Sequence, residues 1–443
     1  MVFVERSTLV RPASTVLNGF GFGNNTKTLL CIFSHMYQEF PYRNRLLFFR
    51  PPSQPFSKII THMKQSLAAA LSEFYPVAGR ISVRKDMRMQ LECNNHGVMF
   101  SEASCDRPLP EGDKFDLDPE FLLELSQAPG HEKDLKWPWP EDAPLLFIQV
   151  TEFSCGGVCV AMKYSHELMD GTSFWHFIQS WAEISCGKPI SQPPYVVLFP
   201  IGIPPSDAPP PPVPSGGMLT LLDRNAPDPG LFGYKSFPRT RRFRFGKLKI
   251  QALNQRNPEY STFQLLSSHI WWKVCLARGL GDKDTTKLFF AVNCRGRFPH
   301  LPKEYLGTPA AWAMASAKCG EMESLGMISS LIKKTIREFS EESWGVSAGF
   351  LEHYAGGESS DKAVLDMRPD RDLYIGSSFY FPVFHEFSWG TPCEMAMAQA
   401  PANGRMYYFP GKEKGSVDLY ITLQHQAMDK LENDASFCDM QAS

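Results

Sequence analysis

A proline-rich segment near the middle of the chain, residues 193–214 of 443, constrains the fold more than any other feature. Residues 209–212 are consecutive prolines. Because proline fixes φ and has no backbone N–H to donate, the segment excludes a helix interior or a central strand and favours an extended polyproline conformation. We interpret it as a crossover between two domains. A long disordered surface insertion is the alternative, and both descriptions can hold together.

Strand and helix patterns are mixed on both sides of this segment, which predicts a mixed α/β fold. Phe263, Leu266, Ile270 and Val274 recur at helical spacing, whereas residues 417–423 alternate between apolar and polar as in a strand. The chain contains neither G-x-G-x-x-G nor G-x-x-x-x-G-K-[S/T]. A nucleotide site built on a Rossmann or P-loop motif is therefore not predicted.

Charge and cysteine content exclude several classes of function. The formal net charge is −2, and the short basic run Arg239 to Arg244 is more typical of a strand with one solvated face than of a nucleic-acid patch. None of the 11 cysteines forms a C-x-x-C pair, so neither a zinc site nor a disulfide framework is predicted. No apolar stretch approaches the ~20 residues of a membrane span, and the N-terminus lacks a secretory signal. We expect a reduced, cytoplasmic, monomeric protein with no nucleic-acid partner, bound metal or membrane span.

A sharp change of periodicity lies between residues 158 and 184. Residues 158–164 alternate as in a strand, and apolar residues from Phe174 to Ile184 recur at helical spacing. Gly156-Gly157 is predicted to turn the preceding strand into this one as a hairpin. His166 therefore lies where a strand ends and a helix is about to begin. Such a position holds an imidazole firmly while one ring nitrogen faces a cavity.

His166, Asp170 and Gly171 are the candidate site residues of this segment. Histidine is the usual general base near neutral pH, and an Asp four residues later can orient the ring or the loop that carries it. Gly171 lets a ligand approach the backbone. A solvated loop histidine with an aspartate nearby by chance is the alternative, and the motif alone does not decide between the two.

Several further segments resemble those of the plant BAHD acyltransferases, which use acyl-CoA. The resemblance spans nearly the whole chain, and its specificity lies in the order and spacing of the segments. They are Val10-Arg11-Pro12, Phe74 to Arg80 (FYPVAGR), Cys93 to Ala103 (CN..GV.F.EA), His166 to Gly171 (HxxxDG), Asn293 to Arg297 (for DxRxR), Tyr305 to Thr308 (for YFGN) and Glu386 to Gly390 (for DFGWG).

This resemblance implies two chloramphenicol-acetyltransferase-like α/β domains joined by a crossover loop, with a solvent channel between them. The corresponding boundaries are 1–186 for the first domain, 187–230 for the loop and 231–443 for the second domain. Part of roughly 363–383 is expected to pack with the first domain. Acyl-CoA would enter the channel as a co-substrate, with no permanently bound cofactor.

The resemblance also implies roles for individual residues. His166 would be the catalytic base at the channel centre, and Asp170 would hold its loop through an arginine, either Arg295 or Arg297. The segment that contains Trp389 would be a structural brace. Glu386, in the brace, is a candidate ion-pair partner of the same two arginines.

The chain departs from the family pattern at several positions. Glu386 and Ser388 replace Asp and Gly in the brace, and Asn293 replaces the first Asp of DxRxR, which weakens any ion pair inherited there. Tyr380 stands where members that use shikimate or quinate carry an acceptor-binding arginine, so we expect Tyr380 in an acceptor pocket that disfavours anionic cyclitols. Core packing is the alternative role for Tyr380 and its aromatic neighbours.

The function predicted from this resemblance is acyl transfer from acyl-CoA to the hydroxyl or amine of a plant specialised metabolite. Its partners would be acyl-CoA and a small alcohol, phenol or amine. Two alternatives keep the fold. One is a lyase acting on an isochorismate-derived conjugate in salicylate formation, against which the retained His166 argues. The other is a non-catalytic binding protein, for which the altered brace is the only support.

Overall fold

Two six-stranded mixed sheets, each covered by helices, form the framework of the protein. The computed structural model describes residues 1–14, 26–30, 42–85, 88–110, 118–127, 140, 142–196, 218–223, 238–298, 301–355, 361–398 and 402–438. The predicted α/β class is confirmed.

The elements of the first half of the chain are, in order, β1 (Val2–Val10), β2 (Thr26–Leu29), β3 (Tyr42–Phe49), α1 (Phe56–Glu73), β4 (Arg80–Val83), β5 (Met89–Cys93), β6 (Val98–Cys105), α2 (Pro119–Glu124), β7 (Leu146–Phe153), β8 (Val158–Ser165) and α3 (Gly171–Ser185). The elements that follow are β9 (Leu219–Asp223), β10 (Arg239–Phe245), α4 (Lys247–Arg256), α5 (Thr262–Arg278), β11 (Thr285–Asn293), β12 (Ala310–Lys318), α6 (Leu325–Glu338), α7 (Glu341–Ala355), β13 (Asp361–Leu365), β14 (Leu373–Ile375), β15 (Glu394–Ala396), β16 (Arg405–Pro410), β17 (Val417–Leu423), α8 (His425–Glu432) and α9 (Ala435–Cys438).

The first sheet has the strand order β1-β6-β7-β8-β3-β15. β7 and β8 form the hairpin expected from the sequence, and Gly156 at its turn has a φ of +80°, a conformation that glycine adopts without steric cost. α1 and α3 pack on one face of this sheet. Leu67 and Leu71 of α1 and Phe177 and Trp181 of α3 are buried in the shared core.

The second sheet has the order β10-β17-β16-β14-β11-β12, with α5 and α8 packed against it. α5 begins with a capping box, in which the Ser261 and Gln264 side chains each bind the other residue's backbone N–H, and ends at Gly279 with a φ of +71°. These end signals explain why α5, which contains the four apolar residues predicted at helical spacing, begins at Thr262 and ends at Arg278.

Strand β15 connects the two halves, because it comes from the second half of the chain and pairs with β3 at the edge of the first sheet. Glu394 in β15 forms ion pairs with Arg242 and Arg244 of β10, which belongs to the second sheet. The two sheets are therefore joined by both a strand and a charged cluster.

The segment 363–383 divides between the two sheets. β13 pairs with β9 and β14 lies in the second sheet, while Phe381 and Val383 pack in the core of the first sheet. Residues 197–217 and 224–230 of the predicted crossover, and residues 231–237 of the predicted second domain, lie outside the described residues. Within the described ranges, no helix combines the length and apolar character needed to cross a lipid bilayer.

Candidate active site

His166 directly follows β8 and lies in a short turn that leads into α3. Its imidazole is partly buried, and its ring centroid lies 6.2 Å from that of Tyr164. Tyr164 in turn stacks on Phe174 of α3 with ring centroids 4.0 Å apart. Strand, turn and helix together therefore restrict where the imidazole can lie.

The charges around His166 favour its neutral form. Burial lowers the pKa of His166 well below its ordinary value, and the positive charges of Arg43 and Arg45 lower it further. The adjacent Glu167 does not oppose this, because burial raises the pKa of its carboxyl and so favours the neutral acid. A neutral imidazole has a ring nitrogen that can accept a proton at neutral pH.

Asp170 caps the N-terminus of α3 and forms a buried ion pair with Arg295. Its Oδ1 accepts the backbone N–H of Ser173 at 2.9 Å. Arg295 Nη1 donates to Oδ2 at 2.6 Å and Nη2 to Oδ1 at 3.1 Å, and the two side chains are 2% and 6% exposed. Both carboxylate oxygens are thus engaged by the helix end and by Arg295. The Asp170 side chain stabilises the loop that carries His166.

The backbone carbonyl of Gly307 joins the same cluster. It accepts hydrogen bonds from Asp170 N–H at 3.1 Å, from Ser173 Oγ at 3.0 Å and from Arg295 Nη2 at 2.9 Å. Gly307 has a φ of +155°, and a Cβ there would lie 2.6 Å from a ring atom of Tyr305. A side chain at position 307 would therefore disturb the contact between the two halves of the chain beside His166.

Asn293 and Arg297 lie two residues before and two residues after Arg295, and their environments differ. Asn293 Oδ1 accepts from Arg295 N at 3.1 Å and from Arg295 Nη1 at 3.2 Å. The Asn293 amide therefore gives the Arg295 guanidinium a hydrogen-bond acceptor but adds no second negative charge beside Asp170. Arg297 is exposed. Of the two arginines considered for Asp170, the structure brings Arg295 to it.

The segment containing Trp389 packs on the first sheet and on the end of α3. Trp389 is 5% exposed and stacks on Phe387 with ring centroids 4.6 Å apart. Its ring also lies 5.9 Å from that of Trp181 and 6.3 Å from that of Phe49. This placement fits a brace that secures the helix following the His166 loop.

The expected pairing of Glu386 with Arg295 or Arg297 is wrong for the part of the chain that the structure describes. Glu386 is exposed and forms no ion pair with a described residue. Arg295 instead binds Asp170, because the brace lies at the opposite end of α3 from Asp170. The backbone carbonyl of Glu386 accepts a hydrogen bond from the Cys186 thiol at 3.4 Å, at the C-terminal end of α3.

The aromatic segment around Tyr380 divides among three environments. Tyr380 is 70% exposed, Phe379 packs on the core of the second sheet, and Phe381 packs on that of the first. A Cβ at Gly171 would lie 2.5 Å from Phe381 Cζ, so Gly171 admits this ring against the start of α3. Tyr380 as an acceptor contact stays a prediction.

Comparison with known proteins assigns this architecture to a family. Residues 24–438 match the family described as the Transferase family. The protein is 31% identical over 400 residues to rosmarinate synthase of Plectranthus scutellarioides, covering 84% of this chain and 86% of that protein. The chain is a BAHD acyltransferase. It is thus an enzyme of the plant group that transfers acyl groups from acyl-CoA to specialised metabolites.

Relatives of this BAHD acyltransferase include enzymes named for either oxygen or nitrogen acylation. It is 29% identical to the hydroxycinnamoyl-CoA:5-hydroxyanthranilate N-hydroxycinnamoyltransferase HHT4 of Avena sativa, over 83% of this chain and 84% of that protein. It is 26% identical to the shikimate O-hydroxycinnamoyltransferase of Nicotiana tabacum, over 97% of this chain and 98% of that protein.

Solved structures show the same fold. Vinorine synthase superposes with a TM-score of 0.76 at 21% identity, covering 100% of this chain and 99% of that one. F. graminearum TRI101, solved with coenzyme A and T-2 mycotoxin, superposes with a TM-score of 0.74 at 15% identity, covering 94% and 98%. The expected two-domain chloramphenicol-acetyltransferase-like fold is therefore confirmed.

Sequence reasoning missed several residues of this BAHD acyltransferase that surround His166. Ser173, Arg43 and Arg45 are buried, and none of them was assigned a role from the sequence. The spacing of three residues between Asp170 and Ser173 is typical of a helix N-cap, and this signal could have identified Ser173. Arg43 and Arg45 alternate with Tyr42 and Asn44 in the sequence, a pattern that resembles an exposed strand.

Proposed function

We propose that the protein transfers a hydroxycinnamoyl group from its CoA thioester to the hydroxyl or amine of a small plant metabolite, with His166 as the general base. The observation that carries the proposal is the partly buried imidazole of His166 directly after β8, where burial lowers its pKa. The buried Asp170–Arg295 pair supports the loop behind it.

The reaction needs one proton acceptor and one proton donor, and a single imidazole can serve as both. His166 takes the proton from the acceptor O–H or N–H as that atom attacks the thioester carbonyl carbon. The tetrahedral intermediate then collapses, the carbon–sulfur bond breaks, and His166 gives the same proton to the departing CoA sulfur. The products are the ester or amide and free CoA. A positioned base typically contributes about 10²–10⁴-fold to such a rate.

The acyl donor is inferred from relatives. The oat and tobacco enzymes are named as hydroxycinnamoyltransferases, and TRI101 was solved with coenzyme A. CoA is therefore proposed as the carrier that this enzyme binds during turnover and releases as a thiol. The acceptor nucleophile is an oxygen in the tobacco enzyme's name and a nitrogen in the oat enzyme's name, and the His166 mechanism serves both.

Release of free CoA thiol tests the proposal directly. Purified protein is mixed with p-coumaroyl-CoA or acetyl-CoA and a panel of alcohols, phenols and amines, and thiol is measured with a chromogenic disulfide. We expect acceptor-dependent thiol release, faster with p-coumaroyl-CoA. A lyase would act on its conjugate without any CoA ester, and a binding protein would release no thiol with any acceptor.

A further inference from the structure

Two buried arginines lie on the strand face that carries Tyr164, the aromatic neighbour of His166. In β3, Arg43 is paired with Tyr164 and Arg45 with Met162 of β8. Because side chains two residues apart in a strand point to the same face, both arginines lie on the face that carries Met162 and Tyr164. The ring of Tyr164 lies 6.2 Å from that of His166, which follows the last residue of β8. Arg43 is 8% exposed and Arg45 is 4% exposed.

Arg45 reaches from the first sheet to the second. Its guanidinium carbon lies 5.1 Å from the ring centroid of Phe409 in β16, and its Nη1 donates to the Asn44 carbonyl at 2.7 Å. Burial lowers the pKa of Arg45, whereas the neighbouring Tyr164, Tyr407 and Tyr420 raise it. Tyr407 and Tyr420 belong to the second sheet, so Arg45 occupies the interface between the sheets.

Arg45 has no carboxylate partner among the described residues. Its Nε is buried and makes no hydrogen bond to any of them. Two other arginines have their charges compensated by carboxylates: buried Arg295 is paired with Asp170, and Arg242, whose side chain is 11% exposed, is paired with Glu394 and Asp418. Buried Arg80 instead donates to the backbone carbonyls of residues 79, 97 and 142. Buried charges in proteins are almost always paired, because an isolated charge loses its hydration without compensation. An incompletely bonded guanidinium whose charge acts on the proposed base, His166, is therefore suited to a ligand anion.

We propose that Arg45, with Arg43 beside it, binds a carboxylate of the acceptor and so presents the acceptor's hydroxyl or amine to His166. This inference rests on the proposed acyl transfer. A guanidinium is planar and presents N–H donors in a fork that matches a carboxylate, which gives orientation as well as affinity. The acceptor class becomes a hydroxy or amino carboxylic acid. If Arg45 binds the acceptor carboxylate, the arginine that Tyr380 replaces is not needed for that purpose.

The proposal is tested with pairs of acceptors that differ only in charge. Shikimate, 5-hydroxyanthranilate and mandelate are each compared with their methyl esters, using p-coumaroyl-CoA and thiol release. We expect wild-type protein to prefer the better acid over its ester by about tenfold to a hundredfold in kcat/KM, the range of a charged hydrogen bond. Arg45→Met should remove most of that preference by raising KM for the acid.

Two further variants separate a ligand contact from a structural one. Arg45→Lys keeps the charge but loses the fork, and it should retain part of the preference for the acid. Arg50→Met removes an exposed arginine just beyond the same strand, and it should leave the preference unchanged. Because Arg45 lacks a carboxylate partner, Arg45→Met should not lower the melting temperature.

A binding measurement provides a readout without turnover. Calorimetry with His166→Ala should show the acid binding more tightly than its ester, and Arg45→Met in that background should abolish the difference.

The proposal is overturned if acids and esters bind and react equally, or if Arg45→Met destabilises the protein and lowers activity on both alike. It is also overturned if the variant raises KM for p-coumaroyl-CoA alone, because the anion would then be a CoA phosphate. Turnover of esters without preference leaves the acyl-transfer proposal standing, whereas absence of thiol release with every acceptor rejects acyl transfer itself.

Discussion

Arg295, at the end of β11, places its Nη1 2.6 Å from Oδ2 of Asp170, 125 residues earlier in the chain and four residues after His166. The pair joins the second half of the chain to the loop that follows β8. Because the pair is buried and bidentate, it defines the position of the loop more strictly than the turn alone would. The catalytic histidine of the proposed mechanism therefore depends on a contact between the two halves of the chain.

Asp170→Asn should destabilise the protein more than it impairs chemistry. Removing one partner of a buried pair typically costs about 3–5 kcal/mol, because Arg295 would keep its charge without a counter-charge. The asparagine oxygen can still cap α3. We expect a lower melting temperature, with kcat per folded molecule reduced much less. Asp429→Asn is the control, because Asp429 is 59% exposed and Arg239 keeps its second partner, Glu432, so the change should cost about 0–1 kcal/mol. An equally stable Asp170→Asn protein with a selective loss of kcat would instead indicate direct participation in proton transfer.

Trp389→Ala should unfold the brace, whereas Glu386→Ala should have little effect. The Trp389 ring is buried against Phe387, Trp181 and Phe49, and truncating a buried ring of this size costs about 3–5 kcal/mol. Glu386 is exposed, so its removal should change stability by less than about 0.5 kcal/mol. Melting curves beside activity per folded molecule check both. A large activity loss in Glu386→Ala at unchanged melting temperature would mean that the brace takes part in the reaction.

Gly171→Ala should disturb the start of α3 because its Cβ would lie 2.5 Å from Phe381 Cζ. Overpacking of this kind typically costs about 1–3 kcal/mol. Gly326→Ala in α6 is the matched control, since nothing lies within 4 Å of a Cβ there and alanine is the better helix former. We expect a lower melting temperature for the first variant and an equal or higher one for the second. Equal stability of both variants would contradict the close packing of Phe381 on Gly171.

The lowered pKa of His166 predicts the pH dependence of the reaction. The neutral imidazole is the active form, so activity should persist as the pH falls below 6.5, the ordinary value for histidine, until it reaches the lowered pKa. Removal of the Arg45 charge should raise that pKa and move the acid limb of kcat/KM to higher pH. Arg50→Met should leave the limb in place. An acid limb above 6.5 in the wild-type protein would contradict the electrostatic account of the site.

The sequence predicted the parts of the site that depend on local pattern. The change of periodicity placed His166 at the end of β8, and the capping signal of Asp170 lies four residues later. The choice between Arg295 and Arg297 could not be made from the sequence, because it depends on which side chain turns inward after β11. The Glu386 pairing failed for a related reason, since motif order does not reveal which end of α3 each segment contacts.

Arg45 illustrates a further limit of sequence reasoning. Alternation with polar residues gives Tyr42 to Arg45 the appearance of an exposed strand, yet β3 is covered on both sides and pairs with both β8 and β15. Burial of these arginines follows from the packing of the second sheet against the first, through residues such as Phe409. No local pattern contains that information.

The central claim, that His166 is the base for acyl transfer, is tested most directly by thiol release from p-coumaroyl-CoA by wild-type protein and His166→Ala, measured per folded molecule with the best acceptor found. The account predicts that kcat falls by about 10²–10⁴-fold in the variant while its melting temperature and CoA binding stay close to those of the wild type. A folded His166→Ala protein with near wild-type kcat would contradict the account.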